Sequence, residues 1–94
     1  MFAKLEQEIQ RLRRHTAILK LVITHEPIGI IKISELSGFP QHQVRYSLRL
    51  LEQKNLIKPS SEGAIATAKG RKFVKTLKKK VESLRRNLLH LGMS

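Results

Sequence analysis

The sequence predicts a mostly α-helical fold with one small β-hairpin, and three observations carry that prediction. Apolar residues recur every three to four positions from Phe2 to Ile23 and again from Phe73 to Leu91, the period of helices with one apolar stripe. In the middle of the chain, Ser37-Gly38-Phe39-Pro40 separates two short stretches as a helix stop followed by a helix start. Farther on, two short apolar runs flank Pro59-Ser60-Ser61-Glu62-Gly63, which is turn chemistry between strands.

The first helix is marked by Phe2, Leu5, Ile9, Leu12, Leu19 and Ile23, with Thr16 in the remaining place, and reaches about His25, where Pro27 and Gly29 end it. Ala17, Ile18, Leu21 and Val22 are also apolar, so its later half is expected to be buried while its first half carries a narrow seam. Ile30 to Ile33 is a β-branched run suited to one brief strand, with Ser34-Glu35-Leu36 as the capped start of a short helix that stops at Ser37-Gly38. Gly38 can take the left-handed conformation that ends a helix, and Pro40 suits the first turn of the next one. In that next helix Val44, Leu48 and Leu51 form an apolar stripe at i, i+4 and i+7, which leaves Gln41, His42, Gln43, Arg45, Tyr46 and Arg49 mostly off it. Lys54-Asn55 ends the run, and Leu56–Lys58 and Ala64–Ala66 are the expected hairpin strands. Thr67 can cap the last helix, from about Ala68 to Leu91, whose stripe is Phe73, Leu77, Val81, Leu84, Leu88 and Leu91.

At 94 residues and 40% hydrophobic content, the chain can build one core, and residues 1–94 read as a single domain. The absence of cysteine excludes disulfides, thiolate zinc sites and cysteine nucleophiles. There is no 18-residue apolar run and no signal-peptide pattern, so neither membrane nor export is expected and the cytoplasm is the expected location. His15, His25, His42 and His90 are scattered without metal-site spacing, the five glycines are isolated, and no acidic pair resembles acid–base machinery. No enzymatic activity, metal or cofactor is therefore expected.

Nineteen Lys and Arg against seven Asp and Glu give a formal charge of +12, a field that attracts polyanions. The charge is uneven. Between Lys69 and Arg86 nine basic residues face Glu82 alone, a balance of +8, whereas Ser34 to Lys58 has four basic residues against two acidic ones, a balance of +2. Excess charge by itself does not choose among nucleic acid, an anionic membrane surface and mere solubility.

Residue patterns add what charge leaves open. Ile33-Ser34-Glu35-Leu36-Ser37-Gly38, followed by Val44, Leu48, Leu51-Glu52 and Leu56-Ile57, resembles the helix-turn-helix and first wing strand of the winged helix-turn-helix transcriptional regulators of bacteria and archaea. Thr67-Ala68-Lys69-Gly70-Arg71-Lys72-Phe73 is similar to the Thr-x-x-Gly-x-x-Phe segment that opens the helix after the wing in that family. The resemblance covers about residues 14 to 77. It implies a winged helix-turn-helix fold, with a recognition helix of about residues 40–54 lying in the major groove of double-stranded DNA. Carried over position by position, the DNA-facing residues are Gln41, His42, Gln43, Arg45, Tyr46 and Arg49; Gln can pair bidentately with adenine and Arg with guanine. The plainer alternative is the solvated face of an amphipathic helix. The wing departs from the family habit of basic tips: Ser60-Ser61-Glu62-Gly63 is acidic, which leaves Lys58 at its base as the evident phosphate partner.

Two further features concern the end helices. Lys69, Arg71 and Lys72 open the basic helix, which can run beside the DNA backbone or form the solvated face of a coiled coil. Phe2, Leu5, Ile9 and Leu12 at one end, and Val81, Leu84, Leu88 and Leu91 at the other, are apolar stripes beyond what the core needs. They could pack on each other; the preferred reading is that residues 1–13 and 78–94 are helical extensions forming a coiled-coil-like homodimer interface. The expected function is a homodimeric DNA-binding transcriptional regulator. The alternatives are a weakly specific nucleoid-associated protein of the same fold and a winged-helix module for protein or RNA. No effector pocket is readable in the sequence.

Overall fold

The computed structural model describes residues 2–92, and side chains from 2 to 89. Six elements follow one another: α1 (Phe2–His25), α2 (Ile30–Ser37), α3 (Gln41–Gln53), β1 (Ile57–Ser60), β2 (Gly63–Ala66) and α4 (Ala68–Gly92). The two long helices and the hairpin lie where the spacing predicts them.

The segment between α1 and α3 differs. Ile30–Ile33 is not a strand; it opens α2, whose first full turn is closed by the Ile33 N–H bonded to the Gly29 carbonyl at 3.1 Å. A strand would have put Ile31 and Ile33 on one side, but Ile33 is fully buried while Ile31 is 64% exposed. A run as short as Ile-Ile-Lys-Ile fits either period, and burial of Ile33, with Ile30 packed against the core, selects the helix. Ser34 accordingly lies inside α2 rather than capping it, and its hydroxyl donates to the Phe39 carbonyl at 2.6 Å. The only extended pairing near here among the described residues lies before α2, where Ile28 exchanges both backbone hydrogen bonds with Ala64, at 3.1 and 2.8 Å. Because Ala64 spends both groups on Ile28, its register partner Pro59 on β1 loses nothing by lacking an N–H.

The turns follow local chemistry. Gly38 takes φ 79° and its N–H bonds the Ser34 carbonyl, which ends α2, and Pro40 sits just before the first residue of α3. Asn55, also left-handed at φ 61°, ends α3 with the Leu56 N–H returning to the Leu51 carbonyl at 2.9 Å. The hairpin is tighter than expected: β1 runs through Pro59 to Ser60 and β2 begins at Gly63, leaving Ser61-Glu62 as a two-residue turn.

Thr67 caps α4 as predicted, accepting from the Gly70 N–H at 3.0 Å, and its hydroxyl donates to the Asn55 carbonyl at 2.7 Å. Gly70 is buried against the Leu56 carbonyl, where any Cβ would collide. Thr and Gly three residues apart thus pin the first turn of α4 to the loop leading into the hairpin.

The core is one cluster: Ile18, Leu19 and Val22 of α1, Ile28, Ile33 of α2, Val44 and Leu51 of α3, and Leu56 and Ile57 at the hairpin. Each such aliphatic side chain contributes about 1.5–3 kcal/mol on burial. The core uses only the later half of α1 and the start of α4, where Val74 packs against it. The first half of α1 and the second half of α4 project beyond it, which gives the molecule its 54 × 30 × 22 Å extent.

Candidate nucleic-acid interface

α3 is amphipathic, and its burial fixes which face is free. Val44, Ser47 and Leu51 are buried, Leu48 is half-buried, and Gln41, His42, Arg45, Tyr46 and Arg49 form an exposed arc on the other side. Gln43, expected in that arc, is half-buried, one helical turn before the buried Ser47.

The two flanks of α3 have different neighbours. On one, Arg45, Leu48, Arg49 and Glu52 share a groove of about 410 Å³ with Ile57, Lys58, Pro59 and Ser60 of the hairpin. Lys58 is exposed there, so three cations line a groove whose acid is Glu52. On the other flank α3 meets α1. The His15 and Tyr46 rings are 5.9 Å apart and tilted by 40°. Ser47, a fully buried polar residue on the apolar side of α3, is reached by Arg14 and His15: the Arg14 Nε donates to its Oγ at 3.1 Å, and the His15 Nδ1 lies 2.8 Å from the same oxygen. Burial lowers the His15 pKa, and the neighbouring Arg14 and Arg11 charges push it the same way.

The remaining predicted residues are dispersed. Lys69, Arg71 and Lys72 are exposed at the start of α4, but the Arg71 guanidinium is paired with the Glu26 carboxylate, which also accepts from the Ala66 N–H at 3.2 Å. Arg71 therefore ties α4 to the end of α1 as well as facing solvent. Phe2, Leu5, Ile9, Leu12, Val81, Leu84 and Leu88 are all exposed, Leu12 at 65% and Leu88 at 68%, so the stripes do not cover each other within the chain. The side chain of Leu91 lies outside the described residues.

Arg14, Ser47 and Glu26 are not among the residues that the sequence patterns single out. One signal pointed to Ser47: it sits three residues after Val44 and four before Leu51, in the apolar stripe, where a hydroxyl needs a partner. Nothing local identifies that partner, since Arg14 is 33 residues away.

Among the described residues no His, Asp or Glu cluster could hold a metal ion, and no helix is long and apolar enough to cross a membrane.

No protein-family profile matches the sequence. No curated protein matches it either. Solved structures do. A protein of unknown function from Listeria innocua aligns with a TM-score of 0.65 at 25% identity over 73% of this chain, which spans about half, 52%, of that protein. MarR of Staphylococcus aureus, solved in complex with salicylate and kanamycin, aligns at 0.65 with 21% identity over 94% of this chain and 66% of its own. The activation domain of the phage T4 transcription factor MotA aligns at 0.60 with 19% identity, over 77% of this chain and 78% of its own. Together with the element order, the αL turn between α2 and α3 and the hairpin leading into α4, these likenesses show that the chain has a winged helix-turn-helix fold.

Proposed function

We propose that this chain is a DNA-binding transcriptional regulator that acts as a homodimer in the cytoplasm, with α3 as its recognition helix in the major groove. The observation that carries this reading is the exposed arc Gln41, His42, Arg45, Tyr46 and Arg49 on the second helix of a helix-turn-helix. That helix position is the one such folds present to base edges, and Gln and Arg are the side chains that read adenine and guanine. Lys58, beside Arg45 and Arg49, supplies a phosphate contact from the hairpin. Lys69 and Lys72 add sequence-independent attraction, with Arg71 shared between Glu26 and solvent.

The homodimer rests on the uncovered stripes. Phe2, Leu5, Ile9 and Leu12 continue a seam whose later members Thr16 and Ile23 line a groove with Val74, Leu77 and Val81 of α4. Val81, Leu84 and Leu88 in turn continue the stripe of Val74 and Leu77. Each long helix thus uses half of one stripe inside the chain and leaves half for a second copy, related by a two-fold axis. Two recognition helices so held address half-sites about one helical turn, or a multiple, apart.

The charge map favours a second reading, a weakly specific nucleoid-associated protein of the same fold, because the +8 segment lies on α4 and not on α3. Titration of random duplex DNA over a salt series, followed by selection of bound sequences, separates the two. A regulator enriches a two-fold motif; a packager binds without enriching one; absence of duplex binding at low salt refutes both. Light scattering tests the dimer, which requires twice 10.8 kDa and is refuted by a concentration-independent mass of 10.8 kDa.

A further inference from the structure

The two flanks of α3 are not equivalent, and the one away from the hairpin carries a guanidinium that is held in place without a carboxylate. Arg14 is half-buried on α1, and its Nε is spent on the buried Ser47 hydroxyl of α3. This fixes the guanidinium plane and leaves its two terminal amino groups, the pair that grips a phosphate bidentately. Among the described residues no carboxylate lies within ion-pair distance of it. Arg11 lies one helical turn before it on α1, and the charges of both arginines act on the adjoining His15. Tyr46, half exposed beside His15, belongs to the free arc of α3, so this cationic patch borders the face that would meet a duplex.

A helix in the major groove lies between two phosphate backbones, one along each flank. The hairpin flank has Lys58, Arg45 and Arg49. From the fixed, unpaired guanidinium on the opposite flank we infer that Arg14, with Arg11 beside it, is the contact for the second phosphate backbone, so that α1 as well as the hairpin clamps the duplex over α3. The inference rests on α3 being the recognition helix. Ser47 is then a positioning residue, tying the phosphate contact on α1 to the orientation of the helix that reads bases.

Ethylation interference on the unsubstituted protein, with duplex DNA selected for binding, is the test. Interference is expected at phosphates on both sides of the major groove at each half-site, and Arg14→Gln should abolish one side only. Arg14→Gln should also weaken binding roughly tenfold at moderate salt and reduce the slope of log K against log salt by about one per chain. Interference confined to the side that Lys58→Gln removes overturns the inference. So does an Arg14→Gln protein that unfolds at lower temperature but binds duplex with unchanged affinity and slope, since Arg14 is then only a strut between helices. Failure of the recognition-helix reading looks different: the unsubstituted protein then shows no base-selective binding, and Arg45→Gln and Arg49→Gln bind as it does.

Discussion

Ser47 is the residue on which most of the local chemistry converges. Its oxygen accepts from the Arg14 Nε, so its one proton is free to go to an unprotonated His15 Nδ1, and the buried hydroxyl is satisfied both as acceptor and as donor. Protonating His15 removes that acceptor and adds a cation beside Arg14 and Arg11; burial and those charges hold its pKa below the ordinary 6.5. The folded state therefore resists a proton that the unfolded chain takes up at its ordinary pKa. The resulting stability is fully present above the unfolded pKa and is lost as pH falls through it toward the lower folded value. Thermal unfolding between about pH 7 and pH 5 should show a steeper loss for the unsubstituted protein than for His15→Gln. Equal pH dependence of the two would show that His15 carries none of it. This network was illegible in the sequence beyond the misplaced hydroxyl of Ser47, because its partners are fixed by how α1 crosses α3 rather than by any spacing along the chain.

At the scale of elements, signals that depend on neighbouring residues were readable and those that depend on packing were not. Thr67 and Gly70 announce the start of α4 because cap and close approach are both local, and Gly38 announces the turn before α3. Ile30–Ile33 fits a strand and a helix equally well as a pattern; the core decides for α2, by taking Ile33 and leaving Ile31 out. The two isoleucines are thus expected to differ sharply. Ile33→Ala should cost about 2–5 kcal/mol in denaturant unfolding, whereas Ile31→Ser should stay within about 0.5 kcal/mol. Comparable losses at both positions would contradict the helical assignment. The exposed arc of α3 was legible for the same reason as its stripe, except at Gln43, which is half-buried.

For the whole molecule, the proposed function raises the question of how a small basic winged helix would divide base reading from affinity. The predicted recognition residues sit together on α3, the charge sits mainly on α4, and the proposed dimer stripes occupy the far halves of α1 and α4. In the proposed regulator, such a division would let a weakly charged helix select sequence while α4 supplied attraction that salt readily screens. The measurement that tests it most directly is backbone amide NMR of the isotope-labelled protein titrated with a selected duplex at moderate salt. The largest shifts are expected at Gln41, His42, Arg45, Tyr46 and Arg49, with smaller ones at Lys58 and along the start of α4. Shifts confined to α4, with α3 unperturbed, would contradict it.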